Sequence, residues 1–409
     1  KLPLDASTVN GKVGNIGVYS SNFTVGTFSL STSGSFATIS SSQLYFNNGS
    51  PGITDGTTTG YDTYTQQEVL SASVSDAMIW TKSRSVSGHQ NWLVDTKRGV
   101  ANYLLTDSTQ QSYSDANGVY GITTAGHVVT VADQTNKTDE SYVSWSFRKQ
   151  KKFFDIVTYT GDGTFTQQIS HNLGSVPKFI IVKCTSASSS WAVYHDDGTT
   201  KRTQFSLNST NASGGTSSGG MTSTYFTPGN ILDHSASSPA TNNATYVAYL
   251  FAHDAGGFGD LGTDSIIKCG SYVGDGSGNA TINLGWEPQF LMVKAATISG
   301  AWITMDVMRG LAQNGYNYLL PNASDAEVFS NVAYCVPTAT GFVSQLGGLS
   351  PGQTYIYMAI RRGPMKTPTD ATKVYTPVAF NGNSTSDTQI TSRSEEHTSE
   401  LQSRETISY

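Results

Sequence analysis

Three neighbouring side chains, His195, Asp196 and Asp197, are the first candidates for chemistry in this sequence. Imidazole and carboxylate groups bind metal ions and transfer protons, so a histidine beside two aspartates suggests a metal or catalytic site. The trio follows the apolar run FIIVK (179–183) and Trp191, where a strand is predicted to end. Its role therefore depends on the strands that would hold it in place.

The strand before the trio is one of three similar strands. The runs MIWTK, FIIVK and FLMVK, at residues 78–82, 179–183 and 290–294, each end in a lysine. A tryptophan, a further strand-like segment and a tyrosine-led closing strand follow each run in the same order. Landmarks in a fixed order at an interval of about 110 residues predict three copies of one unit. The tryptophans are Trp92, Trp191 and Trp302, and the closing strands are YVSWSFRK (142–149), YVAYLFAH (246–253) and YIYMAIRR (355–362).

Composition and periodicity predict an all-β fold. Charged residues make up 13 % of the chain while glycine occurs 41 times, a balance typical of short strands joined by many turns. The closing strands alternate with a period of two, and the lysine-ended runs are apolar on both faces, as in a strand between two packed layers. We therefore predict tandem β-sandwich repeats, jelly-roll or lectin-like, in about three copies.

The predicted units divide the chain into five parts. Residues 1–76 form a divergent N-terminal β segment or leader, and residues 77–152 form a first, partial repeat. Residues 153–258 and 265–380 form the second and third sandwich repeats. Residues 393–409 break the pattern, and RSEEHTSELQS within them resembles the translation of a widely used short-read sequencing adapter. We expect this tail to be an artefact outside the fold; a charged, solvated tail is the alternative.

The repeats argue against a reactive site at the trio. Aligned back from the glycine that ends each tryptophan segment, His195 falls on Thr96 and Val307, and neither aspartate recurs. A repeated catalytic unit would keep its reactive groups in more than one copy. We therefore predict that the trio is scaffold, with no catalytic residue and no metal ligand among its members.

Two arginines and four aromatic residues are the candidates for contact with a ligand or partner. Arg98 and Arg309 each follow an aspartate by three residues, Asp95 and Asp306, a spacing that suits a local ion pair. A binding role for the arginines is the alternative. Exposed aromatic rings could stack on the apolar faces of sugar rings, but a tryptophan that recurs in every copy also suits a core anchor. The aromatic candidates are Trp191, Tyr194, Trp302 and Tyr316.

Several other classes of function find no support in the sequence. The formal net charge of -6 argues against nucleic acid as a partner, and no apolar stretch approaches the ~20 residues of a membrane helix. The segment GDGSGN (274–279) offers Asp275 to a calcium ion but lacks the distal glutamate of an EF-hand loop, so it predicts a hairpin turn. We predict no cofactor. Cys184, Cys269 and Cys335 are predicted to be buried apolar side chains.

Seven segments across residues 77–380 carry a resemblance to a known family: YTGDGT, ISHNLGSVPKFIIVK, WAVYH, TYVAYLFAHDAGGFG, WITMDVMRG, YIYMAIRRGPMKTP and AMIWTK. In these segments the chain resembles a repeated domain of unknown function in virion and tail-fibre-like proteins of marine tailed bacteriophages. The resemblance implies a structural, non-enzymatic component of the virion, on a tail fibre or another appendage, assembled in the host cytoplasm.

The resemblance also implies a set of partners. These are other virion and tail proteins, further copies of the chain as in a homotrimer, and a glycan or receptor on the host surface. Two alternatives stay open. One is a lectin-like, carbohydrate-binding module. The other is a polysaccharide depolymerase, which would need two carboxylates facing each other across one cleft.

Overall fold

The computed structural model describes residues 76–391 except 116–117, 123–125, 131, 165, 197–201, 218–219, 229–239, 260, 276, 278, 312–315, 331–333, 346–350, 364–374 and 383–387, together with three short strands nearer the N-terminus. The chain divides into two compact units, residues 1–74 and residues 75–409. The first unit contains an antiparallel sheet of Ile16–Ser20, Phe23–Thr24 and Gln43–Phe46. Most of the predicted N-terminal segment and all of the predicted artefact tail, 393–409, lie outside the described residues.

The prediction of an all-β fold is confirmed. The described residues form several antiparallel sheets, consistent with a β-sandwich type of fold, and a single turn of 3-10 helix at Val307–Arg309. None of them belongs to a helix long and apolar enough to cross a membrane.

Three main sheets, here called A, B and C, share one order of strands. In each sheet an outer strand pairs with the closing strand, the closing strand pairs with the lysine-ended strand (the lysine strand), and the lysine strand pairs with a fourth strand. Sheet A contains Tyr375–Asn381, Ser141–Arg148, Ala77–Ser83 and Trp92–Asp95, then Asn102–Leu105 and Tyr113–Ser114. Sheet B contains Phe154–Thr160, Thr245–Phe251, Phe179–Cys184 and Ala192–Asp196, then Arg202–Ser206 and Thr216–Ser217. Sheet C contains Ile267–Val273, Thr354–Arg361, Pro288–Ala295 and Ile303–Asp306.

Other strands of the described residues form smaller antiparallel sheets, and most of these strands lie between strands of the main sheets along the chain. They are Val119–Ile122 with Gly126–Val129 and Thr388–Thr391; Ile169–Ser170 with Tyr225–Phe226; Ala280–Asn283 with Gly341–Ser344 and Cys335–Thr338; and Tyr316–Tyr318 with Val328–Ser330. In the third of these, Ile282 and Phe342 pack in one core with Leu291 and Val293 of sheet C. Sheet C and this small sheet therefore form the two layers of a sandwich.

The lysine strands are buried on both faces, as their composition predicts. In sheet C, Leu291 faces the sandwich core, whereas its neighbours Phe290 and Met292 belong to a larger core that contains residues of all three main sheets. At the centre of this shared core, Phe147 of sheet A contacts Phe251 of sheet B and Phe290 of sheet C, with ring centroids 5.7 and 6.2 Å apart. The sheets therefore share one core, where the sequence predicted self-contained sandwiches in tandem.

The outer strand of sheet A comes from the C-terminal part of the chain. Tyr375–Asn381 pairs with the closing strand in a register that runs from Ser141 opposite Asn381 to Phe147 opposite Tyr375. Its proline, Pro377, is tolerated because an outer strand forms only one ladder of hydrogen bonds. The prediction that placed residues up to 380 in the third repeat is corrected here, since 375–380 complete the sheet of the first, partial repeat.

An aromatic pair shows that this strand takes the same place as the outer strands of sheets B and C. In each sheet a ring of the outer strand stacks on the first tyrosine of the closing strand, at nearly parallel orientation. The pairs are Phe380 on Tyr142 at 5.4 Å, Tyr159 on Tyr246 at 5.0 Å and Tyr272 on Tyr355 at 5.3 Å.

A glycine just after each outer strand makes the same hydrogen bond in all three sheets. Its N–H donates to the carbonyl oxygen of the residue two positions before that closing-strand tyrosine. The bonds are Gly382 to Glu140 at 2.6 Å, Gly161 to Ala244 at 2.8 Å and Gly274 to Gln353 at 3.1 Å. The C-terminal strand thus closes sheet A by the same backbone contacts that the other two sheets make with a strand close to them in sequence.

The three cysteines are free and buried, as predicted. Burial raises the pKa of the Cys335 thiol to about 12 and moves that of Cys269 in the same direction. Both side chains are therefore neutral thiols at physiological pH, with little thiolate for oxidation.

His127, in the small sheet that contains Gly126–Val129, is a buried histidine with an apolar neighbour. Its ring lies 6.5 Å from that of Phe380 at a steep angle, and among the described residues neither ring nitrogen has a hydrogen-bond partner. Burial lowers its pKa to about 3. The folded protein therefore holds a neutral imidazole over the whole range in which a free histidine would take up a proton.

We predict that His127 makes the fold less stable in mild acid. Below about pH 6.5 the unfolded chain binds a proton at this histidine while the folded chain does not, so the free energy of unfolding falls as the pH falls. Between pH 7 and pH 5 the loss is about 2 kcal/mol. Urea unfolding of the parent and of His127→Leu at both pH values tests this, because the other histidines contribute equally to both proteins. Equal pH dependence of parent and variant would contradict it.

Candidate functional site

The strand register gives His195 a different counterpart from the one that the sequence alignment assigns. His195 lies opposite Phe179, the first residue of FIIVK, and Asp95 and Asp306 lie opposite the first residues of MIWTK and FLMVK. His195 is therefore the counterpart of Asp95 and Asp306, one position before the residues with which it was aligned. The alignment counted back from a glycine in a turn, where the number of residues differs between copies.

The trio His195, Asp196 and Asp197 does not form a cluster in the part that is described. His195 is fully buried, with its ring edge-on to Phe179 at 6.0 Å. Asp196 is the next residue of the strand and so faces the other side of the sheet, where its carboxylate pairs with Lys178 at 3.4 Å. Asp197 lies outside the described residues.

The first of the two aspartate–arginine pairs joins sheet A to sheet B. The Asp95 carboxylate accepts from Arg98 Nε at 2.7 Å and from the backbone N–H of Arg98 at 2.9 Å. It also accepts from the Tyr249 hydroxyl of sheet B at 2.7 Å. Burial raises the pKa of Tyr249 well above its usual value, so the phenol stays a hydrogen-bond donor. The predicted local ion pair is present, and it is buried between two sheets.

The second pair joins sheet C to sheet A in the same way. Asp306 accepts from Arg309 Nε at 2.7 Å and from the Trp145 indole N–H of sheet A at 3.0 Å. Arg309 also reaches Glu327 at 2.9 Å and lies over the Trp145 ring at 5.2 Å. The Arg309 side chain has no exposed surface, so its charge is balanced within the protein.

Trp145 and Tyr249 hold equivalent places on their closing strands, opposite Trp80 and Ile181 of the lysine strands, and Met358 holds that place in sheet C, opposite Met292. A methionine donates no hydrogen bond. By analogy with these two junctions, a buried carboxylate at position 195 of sheet B would face Met358 of sheet C and would meet no donor there. This gives a physical reason for a histidine where the other two sheets have aspartate.

The motif lysines form a second set of links between the sheets. Each amine is nearly or fully buried and donates to main-chain carbonyls of a loop outside its own sheet. These bonds bind sheet B to A, sheet C to B, and sheet A to the loop between Tyr316–Tyr318 and Val328–Ser330. Lys82 binds the carbonyls of Ser324 at 3.0 Å and of His89 in its own sheet; Lys183 binds those of Thr109 at 3.0 Å and Ser189 at 2.6 Å; Lys294 binds those of Thr210 at 3.2 Å, Asn211 at 2.7 Å and Ala295 at 2.9 Å. Burial lowers the pKa of each amine to about 8, which leaves all three charged at neutral pH.

A third set of links uses the side chain just before each fourth strand. The indoles of Trp191 and Trp302 donate to the carbonyls of Leu105 and Ser206, at 2.8 and 3.0 Å, which joins B to A and C to B. In sheet A the same place belongs to Asn91, whose amide donates to the carbonyls of Leu320 and Ala323, in the loop after Tyr316–Tyr318, at 3.1 and 2.8 Å.

Trp92, which the sequence aligned with the other two tryptophans, lies one position later. It stacks on Tyr103 with ring centroids 3.7 Å apart. Together the three sets of links close a ring in which every main sheet binds both others.

The predicted contact residues lie in these junctions or within the core. The fractional exposure is 0 % for Trp191 and Tyr194, 1 % for Trp302 and 3 % for Arg309, and 7 % for the Arg98 side chain. In this structure these five residues present no face to a glycan or an external partner, which corrects that prediction. The sixth, Tyr316, begins the short strand Tyr316–Tyr318.

The segment considered for calcium is a turn between two sheets, and the prediction of a hairpin is wrong, because Ile267–Val273 and Ala280–Asn283 pair with different strands. Asp275 uses one carboxylate oxygen to accept the N–H groups of Ser277 and Asn279, at 2.8 and 2.9 Å. The carboxylate therefore organises the turn between Ile267–Val273 and Ala280–Asn283. Among the residues that the structure describes, no group of three or more histidine, cysteine, aspartate or glutamate residues is arranged to hold a metal ion.

Comparison with known protein families gives a match. A family model described as a domain of unknown function (DUF7483) matches residues 54–364. No curated protein and no solved structure shows a significant match to the chain.

Proposed function

The chain belongs to the family described as a domain of unknown function (DUF7483), and we propose that it is a non-enzymatic structural block of a bacteriophage virion, on a tail fibre or another appendage. In this role the protein is a rigid part of a larger particle, and its recurring residues hold the three main sheets together. The proposed partners are neighbouring virion proteins and, through exposed side chains, a glycan or receptor of the host surface.

The observation that carries the structural part of this proposal is the use of the recurring polar groups. The motif lysines, the aspartate–arginine pairs and the indole or amide donors all bind residues outside their own sheet, and nearly all of these groups are buried. A catalytic array would instead turn its titratable groups toward a cleft. We infer that one unit was triplicated and that selection kept the groups that hold its copies together.

The virion part of the proposal is supported by the resemblance of residues 77–380 to tail-fibre-like proteins. A particle exposed to the environment needs components that do not open, and three sheets joined in a ring around one shared core suit that need. The ring is formed by three sheets of a single chain, so it does not require several chains. Assembly of several chains would be an additional level of organisation.

Co-purification with virus particles tests the proposal. Virus particles from the material that yields this sequence, banded by density and analysed by mass spectrometry, are expected to contain tryptic peptides of this chain, among them SVSGHQNWLVDTK (85–97). The peptides should follow the particle band when its density is shifted by removal of the DNA. Recovery of the peptides from cells and soluble fractions, with none in the particle band, would overturn the virion role.

A further inference from the structure

We propose that the closing strand of sheet A is a docking site for a second copy of this chain. In the described fold, Tyr375–Asn381 of the same chain fills this place. We infer that the equivalent strand of another copy can fill it instead, so that chains become linked by strand exchange. The proposal holds for a virion component and equally for any other role of the chain.

Sequence distance sets this strand apart from its counterparts. In sheets B and C the outer strand ends fewer than 20 residues before its own lysine strand. In sheet A it begins more than 200 residues after the closing strand Ser141–Arg148 has ended. A strand brought to its sheet from such a distance along the chain is the kind of element that identical chains exchange, because each chain supplies one strand and one acceptor edge.

The family match points the same way. It ends at residue 364, before the outer strand of sheet A begins, although it includes the outer strands of sheets B and C. In the described part of the matched unit, from residue 76 onward, two main sheets are complete, and the third, sheet A, pairs with a strand that follows the match. In this chain that strand is Tyr375–Asn381. The edge of Ser141–Arg148 can pair with such a strand whether the strand belongs to the same chain or to another copy.

The contacts that seat the strand are mostly main-chain contacts. Seven residues pair in register with the closing strand, Phe380 stacks on Tyr142, and the Gly382 N–H donates to the Glu140 carbonyl. A Cβ atom at Gly382 would lie 2.0 Å from the Lys137 carbonyl oxygen, so the strand is locked at its end by a close backbone approach. Pairing of an added strand with an open sheet edge is a recurring mode of protein–protein recognition. The matching occupant here is a second copy, since it carries the same strand.

Cysteine pairs across the register test the exchange in full-length chains. Ser141 lies opposite Asn381, and Asn381 is exposed. Chains carrying only Ser141→Cys are mixed in urea with chains carrying only Asn381→Cys, refolded together at low and high protein concentration, and oxidised. We expect a disulfide-linked dimer whose share rises several-fold with concentration. The native cysteines are buried and do not contribute.

Two controls make the outcome decisive. Thr376→Cys replaces Asn381→Cys in the first; Thr376 is five residues along the strand, about 17 Å from the register partner of Ser141, and is expected to give no linked dimer above background. In the second, one chain carries both Ser141→Cys and Asn381→Cys and is expected to close within itself at low concentration. Failure of the double variant to close would disprove the pairing itself. Closure without any linked dimer above the Thr376→Cys background would disprove the exchange.

Discussion

Replacement of Arg309 by methionine is expected to lower the free energy of unfolding by about 3 to 5 kcal/mol. The guanidinium is fully buried, binds Asp306 at 2.7 Å and Glu327 at 2.9 Å, and lies over the Trp145 ring. Methionine has a similar length but no charge, so it would leave the buried Asp306 carboxylate without its cation and Glu327 with Arg84 alone. Removal of one partner from a buried ionic cluster lowers the free energy of unfolding by this amount because the remaining charge stays desolvated.

Arg84→Met is the matched control for this variant. Arg84 also binds Glu327, at 2.7 Å, but its side chain is 24 % exposed, so water can replace the pair and we expect a loss of about 1 kcal/mol or less. Urea unfolding of the parent and both variants gives the comparison. A double variant, Asp306→Asn with Arg309→Met, should recover part of the loss, because the uncompensated charge is removed. Equal losses for Arg309→Met and Arg84→Met would contradict a junction held by buried charge.

The lysine strands could be predicted from the sequence because their signal is local. Consecutive apolar residues around Trp80, Ile181 and Met292 indicate strands buried on both faces, and these three residues occupy the same place in sheets A, B and C. The role of the lysine that ends each run could not be predicted. Its acceptors are backbone carbonyls of loops outside its own sheet, and every residue has a carbonyl, so no side-chain pattern marks them.

Errors of one residue separate the predicted from the observed junctions. Counting from turn glycines made Thr96 the equivalent of His195, and matching tryptophans made Trp92 the equivalent of Trp191. The strand register instead makes Asp95 the equivalent of His195 and Asn91 the equivalent of Trp191. A shift of one residue moves a side chain to the other face of its sheet. The residues that link the sheets therefore required the register, which the hydrogen bonds of neighbouring strands determine and the sequence spacing does not.

The sequence contains only a weak signal for the outer strand of sheet A. An aromatic residue two positions before a glycine ends each outer strand: Tyr159 with Gly161, Tyr272 with Gly274, and Phe380 with Gly382. This pattern of two residues occurs easily by chance in a glycine-rich chain. Only the pairing with Ser141–Arg148 distinguishes the third instance, and contacts between residues so distant in sequence leave no local periodicity.

Removal of the outer strand of sheet A, Tyr375–Asn381, is expected to destabilise the whole three-sheet unit. A chain that ends at residue 374 loses seven register pairs with the closing strand and the stacking of Phe380 on Tyr142. At about 1 kcal/mol net for each backbone hydrogen bond, less the entropy of ordering the strand, the loss is on the order of 3 to 5 kcal/mol. The exposed edge of Ser141–Arg148 should also make the shortened chain prone to aggregation.

A chain that ends at residue 391 is the control, because it keeps both C-terminal strands and removes only the predicted artefact tail. We expect it to unfold at the same urea concentration as the full chain. A point variant separates strand seating from chain length: Gly382→Ala places a Cβ 2.0 Å from the Lys137 carbonyl oxygen, whereas Gly121→Ala meets nothing within 4 Å. The first should cost about 1 to 3 kcal/mol and the second little, since only the first forces backbone to move. If the chain ending at 374 were as stable as the chain ending at 391, the C-terminal strand would not stabilise sheet A.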